Sequence, residues 1–209
     1  MIKGDYLNLA KGQLKSKDGI DLYSRKDFDG MHTAGRVAAE ILDEIVTSVF
    51  PGQTTGKIDS IIEELIRDKN VESGTIGYRG YQHASCISVN HVVCHGIPSD
   101  KILKEGDILN IDVTVIKDGW YGDTSRMYVA GQPSRKAERL IQVTHDALFK
   151  GIDAVKPGKT FGDIGHAIQT YVEANRMSVV RDFCGHGLGR VFHSPPNVLH
   201  YGREGTGPR

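Results

Sequence analysis

The sequence has little cysteine and no pattern that pairs its cysteines. Among its 209 residues there are three, Cys86, Cys94 and Cys184, an odd number with no Cys-x-x-Cys spacing. A disulfide framework and a cysteine-based zinc site are therefore not indicated. Reduced thiols are typical of a reducing compartment, and we expect the protein to be cytoplasmic.

The chain also lacks an excess of charge and a long apolar run. Lys+Arg and Asp+Glu both total 26, so no electrostatic footprint predicts a nucleic-acid partner. No segment approaches the ~20 apolar residues that span a bilayer. Charged residues interrupt the first residues of the chain, so neither a signal peptide nor a membrane partner is expected. The composition, 39% hydrophobic and 25% charged, is that of a globular chain long enough to bury a core.

Hydrophobic periodicity predicts four helices, over residues 27–49, 54–70, 134–155 and 160–175. Runs rich in β-formers predict strands at 20–23, 86–93 and 179–184. The segment PGQTTGKI (51–58) matches PGKTFGDI (157–164) at Pro, Gly, Thr, Gly and Ile. These similarities indicate a two-fold internal repeat. We therefore expect an N-terminal extension, 1–26, and a single domain, 27–209, with halves at about 27–130 and 131–209.

The repeat also predicts how the second half ends. In the first half a β-hairpin follows the helices, and its counterpart would fall beyond Arg209. The last residues, GREGTGPR (202–209), are expected to form a loop. We expect the second half to be truncated and to leave an apolar face exposed.

The most informative stretch is GDILNIDVTVIKDGWYGDTSRMYV (106–129). Its Asp118-Gly119 pair is typical of a two-residue hairpin turn, which would place Asp123 opposite Thr114. Asp112 and Thr114 share a face because they are two residues apart. Both carboxylates then project from one face, roughly 7 Å apart at the backbone. Such a pair on a half-buried sheet repels and loses hydration unless a cation lies between its members.

Two other interpretations of this hairpin stay open. The aspartates could instead accept hydrogen bonds from Thr114, Thr124 or Ser125. Gly122 could introduce a bulge that changes which face Asp123 occupies.

Three of the nine histidines lie in unusual surroundings: glycines that leave room for a ligand adjoin His95 and His186, and His193 precedes Ser-Pro-Pro. Each alone is more often structural than chemical. Together with paired aspartates, however, imidazoles suit Zn, Mn, Fe or Co. Because such an ion lowers the pKa of water toward 7, hydrolysis is the reaction class indicated.

Five stretches can be compared with known motifs: GYRGY (77–81), CISVNHVVCHGIP (86–98), DILNIDVTVIKDG (107–119), GDTS (122–125) and CGHGLGR (184–190). Together they resemble motifs of the type I methionine aminopeptidases. The resemblance extends over about residues 27–207. It implies the α+β pita-bread fold, an antiparallel sheet backed by helices with a pseudo-two-fold repeat, here with an incomplete second half.

The resemblance also implies the roles of particular residues. Asp112, Asp123 and His186 would bind two divalent ions (Co, Mn, Fe or Zn). His95 and His193 would be catalytic residues that also bind substrate, His95 at the scissile amide and His193 at its carbonyl oxygen. The pocket for the methionine side chain would be lined by Tyr78, Tyr81, Cys86 and Phe192.

Two departures from the family pattern affect these expectations. The family completes its metal site with two glutamates from strands that would lie beyond Arg209, so we expect weak metal binding and little activity. Gln82-His83 replaces a Pro-Lys pair, which we expect to alter only the pocket rim.

The resemblance implies removal of the initiator methionine from nascent polypeptides with a small second residue, by a monomer, with the ribosome as a further partner. One alternative is a non-catalytic binding protein of the same fold, although clustered ligands are costly to bury without a function. The other is a proline-directed or creatinase-type hydrolase, against which Tyr78, Cys86 and the stretch 92–98 argue.

Overall fold

The computed structural model describes residues 14–209, which form two compact units. Residues 23–134 and 188–192 form the first unit, and 14–22, 135–187 and 193–209 form the second. Half of the expected N-terminal extension, 1–13, lies outside the described residues. The assignment of 27–209 to one domain stays a prediction.

The first unit contains two helices, which confirms the prediction made from hydrophobic periodicity. Helix α1 (Arg25–Glu44) begins at Ser24, which forms a capping box with Asp27, and a 3-10 turn, Ile45–Ser48, follows it. Helix α2 (Thr55–Asp68) begins at Thr54, whose hydroxyl accepts a hydrogen bond from the backbone of Lys57. These caps satisfy backbone N–H groups that have no partner within the helix, which is why both helices begin where they do.

The sheet of the first unit is antiparallel and is built around its third strand. It contains β1 (Glu72–Ser73), β2 (Ser85–Val89), β3 (Asp107–Lys117) and β4 (Trp120–Ala130), and β3 pairs with each of the other three. Asp118 and Gly119 have φ of 51° and 76°, the positive values that a two-residue hairpin turn requires. Strand β2 is shorter than the predicted run 86–93, because Asn90 turns the chain with φ of 54°.

One face of this sheet packs against the helices and forms the core. The inward residues of β3, among them Leu109, Ile111 and Val113, are fully buried with Ile41 and Ile62 of the helices. Burying each such side chain stabilises the fold by about 1.5–3 kcal/mol. The opposite face of β3, which carries Asp112, is therefore left for polar residues.

Gly122 does not form the bulge that the sequence left open, since the pairing of β3 with β4 is continuous through it. It lies on the helix face, where an added Cβ would be 2.3 Å from the backbone carbonyl of Ala34 in α1. Its lack of a side chain therefore allows the helix to approach the strand.

The second unit repeats the helix pair of the first. It contains α3 (Arg135–Asp153), α4 (Phe161–Ala174), β5 (Gly185–Gly187) and β6 (Ser194–Val198). Thr160 and Asp163 form a capping box at the start of α4, and Thr160 corresponds to Thr54 in the matched segments. The predicted pair of helices is thus confirmed.

The end of the chain forms the expected loop. The backbone N–H of Phe161 donates to the carbonyl of Pro208 at 3.0 Å, and that of Gly162 donates to Thr206 at 2.9 Å. The loop thereby satisfies N–H groups in the first turn of α4.

Two strand predictions in this unit are wrong. Residues 179–184 form no strand, and strand β5 begins only at Gly185. The run 20–23 contributes only a single bridge, from Lys15 to Asp21. In both cases β-forming side chains are present, but within residues 14–209 no neighbouring strand completes a ladder with them, and a strand needs that pairing.

An exposed apolar face lies on α3, as expected for the second half. Leu148, Phe149 and Ile152 are 56%, 50% and 52% exposed.

Among the described residues no helix is both long enough and apolar enough to cross a membrane.

Candidate active site

Asp112 and Asp123 lie on one face of the hairpin in the first unit. The register pairs Thr114 with Asp123 and Asp112 with Ser125, as the turn predicted, so both aspartates point away from the helices. The Thr114 hydroxyl donates a 2.7 Å hydrogen bond to Asp123 Oδ1. One of the alternative interpretations, a carboxylate hydrogen-bonded to Thr114, is thus also present.

The Asp112 carboxylate is in a less favourable environment than the Asp123 carboxylate. Burial raises the pKa of Asp112 to about 7, and the negative charge of Asp123 contributes to the rise. Within residues 14–209, no hydrogen-bond donor to the Asp112 carboxylate offsets this cost. A divalent cation between the two carboxylates would favour the ionised form of both. The chemistry of this donor pair therefore fits a hard or borderline metal ion.

An aromatic cluster in the same unit contains two of the expected pocket residues. The Phe192 ring lies 4.8 Å from the Tyr78 ring and stacks on Tyr121, with centroids 5.6 Å apart and planes at 18°. Tyr121 has the same orientation as Asp123, two residues further along β4. The cluster thus lies on the carboxylate face of the sheet.

Tyr81 and Cys86, the other expected pocket residues, are hydrogen-bonded to each other. The Cys86 thiol donates to the Tyr81 oxygen at 3.5 Å, and the Tyr81 hydroxyl donates to the carbonyl of Ser85 at 2.9 Å. Cys86 is paired with Asp112 across the strands. Burial raises the pKa of both the Tyr81 hydroxyl and the Cys86 thiol. Both groups are therefore neutral near pH 7, and the pocket wall beside Asp112 carries no charge of its own.

His95 follows β2 after a turn and has a backbone φ of 56°. The next residue, Gly96, lies so close to β2 that an added Cβ would be 2.2 Å from the Ile87 carbonyl oxygen. Backbone bonds join Ile87 N–H to the Gly96 carbonyl and Gly96 N–H to the Ser88 hydroxyl, at 2.8 and 3.0 Å. This close backbone approach holds His95 next to the strand that carries Cys86.

His186 and His193 lie together in the second unit, with ring centroids 4.1 Å apart. His186 is in β5, and its Nδ1 is 3.0 Å from the carbonyl oxygen of Gly187. If Nδ1 carries the proton and donates to that oxygen, Nε2 is the unprotonated nitrogen, which is the form that binds a metal. The imidazole therefore also fits the expected donor set.

The two carboxylates and His186 belong to different compact units. Within the part of the chain that the structure describes, no group of three or more His, Cys, Asp or Glu side chains could hold a metal ion. Joint coordination by Asp112, Asp123 and His186 consequently stays a prediction.

The structure adds two features that sequence reasoning missed. Arg190 stacks on Trp120 at 3.9 Å and donates to the Asp118 carbonyl at 2.9 Å, which anchors the segment carrying Phe192 to the hairpin turn. Asp59 of α2 contacts His83, a residue expected only to alter the pocket rim. Neither contact has a signal in the sequence, because each joins residues far apart in the chain.

Comparisons with known proteins agree with this architecture. Residues 29–208 match metallopeptidase family M24. A methionine aminopeptidase of Rickettsia prowazekii is 55% identical over 188 residues, which cover 90% of this chain and 73% of that protein. The crystal structure of methionine aminopeptidase from Rickettsia prowazekii matches with a TM-score of 0.88, covering 90% of this chain and 75% of that one. A prolidase from Pyrococcus furiosus shares the fold, with a TM-score of 0.76. It is 20% identical in sequence, and the match covers 86% of this chain and 52% of that one.

The fold and the matched residues thus define a class, the metallopeptidases with the pita-bread fold, and the predicted fold class is confirmed. Membership in that class implies a hydrolase that uses a divalent metal cofactor. The chain belongs to metallopeptidase family M24 and, within it, to the methionine aminopeptidases.

Proposed function

We propose that this chain removes the initiator methionine from nascent polypeptides with a small second residue, by hydrolysis of the first peptide bond. The observation that carries the proposal is the same-face pair Asp112 and Asp123, next to a wall of aromatic rings and a neutral thiol. A relative that is 55% identical is named methionine aminopeptidase. The active form that we propose is a cytoplasmic monomer that meets its substrates at the ribosome.

Asp112, Asp123 and His186 would hold two divalent ions, Co, Mn, Fe or Zn. When bound, the ions supply a Lewis acid and bring the pKa of water toward neutrality. The Asp112 and Asp123 carboxylates would repel each other less with a cation bound between them, which would favour the ionised form of both.

The methionine side chain would lie against Tyr78, Tyr81, Cys86 and Phe192. A thioether packs favourably against aromatic rings and another sulfur. The hydrogen bond from Cys86 to Tyr81 satisfies both polar groups, so an apolar side chain can cover them without leaving a buried donor unpaired.

The histidines would act on the scissile peptide. His95 would donate a hydrogen bond to the substrate backbone near the amide and orient it. His193 would donate to the carbonyl oxygen, where negative charge develops as the carbon becomes tetrahedral. Removing one such donor typically lowers kcat by about 10²–10³-fold.

Three of the five metal ligands that the resemblance implies lie within the 209 residues. Asp112, whose burial is costly without a cation, is the ligand that the following assay tests.

The function is tested with Met-Ala-Ser and Leu-Ala-Ser peptides in excess Mn²⁺, with released amino acid measured by mass spectrometry. We expect release of methionine, no release of leucine, and loss of activity in Asp112→Asn. Asp100→Asn, the same change at an exposed position, is the control and should keep both activity and Mn²⁺ affinity by calorimetry. Equal methionine release by Asp112→Asn and the unmodified chain would refute the assignment.

A further inference from the structure

We propose that Asp59, on helix α2, is a positioning residue for the side-chain pocket and acts on Tyr81 and Cys86 through Ser85 and His83. The inference rests on the proposed function only where it calls this wall the methionine pocket. The contacts themselves lie within the first unit, and they do not depend on which ligand binds to this wall.

Asp59 is buried, with 7% of the residue exposed, and its carboxylate makes three contacts with one segment. Oδ1 accepts hydrogen bonds from the backbone N–H and the hydroxyl of Ser85, at 2.9 and 2.7 Å. Oδ2 lies 3.1 Å from His83 Nδ1. Because a buried carboxylate without partners is costly, these three contacts fix the segment 83–85 to the helix.

The same segment carries the contacts that hold the pocket wall. Its Ser85 carbonyl accepts the hydrogen bond from the Tyr81 hydroxyl, whose oxygen accepts the Cys86 thiol. The His83 ring packs against the Tyr81 ring at 5.6 Å with planes at 63°. A change at Asp59 therefore reaches Tyr81 through one intervening residue, Ser85 or His83, and reaches Cys86 through Tyr81.

The loop before β2 depends on such anchors because it has no sheet ladder of its own. Between β1 and β2 the chain makes one short 3-10 turn, and Gly77, Arg79 and Gly80 all have positive φ, from 49° to 84°. The Thr75 hydroxyl adds a 2.8 Å hydrogen bond to the His83 carbonyl. Backbone hydrogen bonds join residues 75–81 of the loop to one another, whereas residues 83–85 are held by the side chains of Asp59 and Thr75.

His83 is also where this chain departs from the Pro-Lys pair expected at 82–83. An imidazole on Asp59 replaces the ammonium that a lysine would present, so the anchor is kept with a different donor. His83→Lys should therefore preserve the pocket wall, whereas His83→Ala should loosen it.

The test measures how well the wall protects the Cys86 thiol. In a chain with Cys94→Ser and Cys184→Ser, the rate of alkylation by iodoacetamide is followed at one pH for Asp59→Asn, His83→Ala and His83→Lys. We expect Asp59→Asn to react about tenfold faster, the effect of losing one hydrogen bond to a charged group. His83→Ala should react faster to a smaller degree, and His83→Lys should react at the original rate.

Two control variants separate positioning from general loss of stability. Asp68→Asn makes the same change at the exposed end of α2 and should leave the rate unchanged. Ile62→Val removes one methyl group from the buried face of α2, so it should lower the melting temperature but leave the alkylation rate unchanged. If the rates simply follow the melting temperatures across all variants, Asp59 is only structural and the proposal is wrong.

Binding of free L-methionine, measured by calorimetry, keeps this proposal distinct from the proposed function. If the wall is the methionine pocket, Asp59→Asn should bind L-methionine about tenfold more weakly than Asp68→Asn does. If no variant binds L-methionine but Asp59→Asn still exposes Cys86, the positioning role stands and the pocket assignment falls.

Discussion

Replacing Asp112 by asparagine should stabilise the metal-free chain at alkaline pH. The side chain keeps its shape, but the charge that opposes Asp123 is removed. In the unfolded chain the carboxyl has its ordinary pKa of 3.8, whereas in the folded chain its pKa is about 7. An acid whose pKa is raised by folding favours the folded state only while it is protonated.

The expected size of the effect follows from that difference. Below about pH 4 the carboxyl is protonated in both states, and the original chain and the Asp112→Asn variant should have similar free energies of unfolding. As pH rises, the unfolded chain ionises first, so the original protein loses stability between about pH 4 and pH 7. Above pH 7 the loss is complete and amounts to about 4 kcal/mol, since one pKa unit corresponds to about 1.4 kcal/mol.

The measurement is urea unfolding in EDTA from pH 4.5 to 8.5. Trp120 is the only tryptophan of the chain and is 6% exposed at the start of β4, so its fluorescence reports directly on the hairpin. Asp100→Asn is the matched control and should show no pH-dependent gain. With excess Mn²⁺ in place of EDTA, the original chain should gain stability and Asp112→Asn should gain less.

A clear outcome would refute the reasoning. If Asp112→Asn is no more stable than the original chain at pH 8 in EDTA, the carboxylate is not held in an unfavourable environment. In that case the two aspartates have no need of a cation, and the physical argument for the metal site fails.

Two further predictions concern packing. Gly122→Ala should lower the free energy of unfolding by about 1–3 kcal/mol or more, because the added Cβ would meet the α1 backbone at Ala34. The control is Gly35→Ala in α1, where an added Cβ has nothing within 4 Å, so this change should raise the free energy of unfolding by about 0.5–1 kcal/mol. Equal effects of the two substitutions would contradict the contact at Gly122. The exposed face of α3 should cause self-association, so Leu148→Lys with Phe149→Lys should convert aggregates to monomer in light scattering; an original chain that is already monodisperse would disprove this.

Much of the first unit was predictable because its signals are local. Alternating residues and the Asp118-Gly119 turn set the register of the hairpin, and hence the shared face of Asp112 and Asp123. Threonines before the helices marked where α2 and α4 begin, since a side-chain cap acts within three residues. The predictions that failed, the strands at 20–23 and 179–184, required a partner strand that local sequence does not specify.

The features of the candidate site likewise divide into those that local sequence predicts and those that it does not. Which residue types could bind a metal, and that two of them share a face, followed from spacing alone. The contact of Phe192 with Tyr78 and Tyr121, the stacking of Arg190 on Trp120 and the anchoring of Ser85 by Asp59 did not.

The sequence by itself determined the periodicity, the turn and the caps of this protein, because each depends on neighbours a few residues away. Only the tertiary structure decided why Gly122 has no side chain, which carboxylate bears the cost of burial, and which helix contacts Ser85. Those depend on the distances between elements that are remote in the chain, and packing sets such distances.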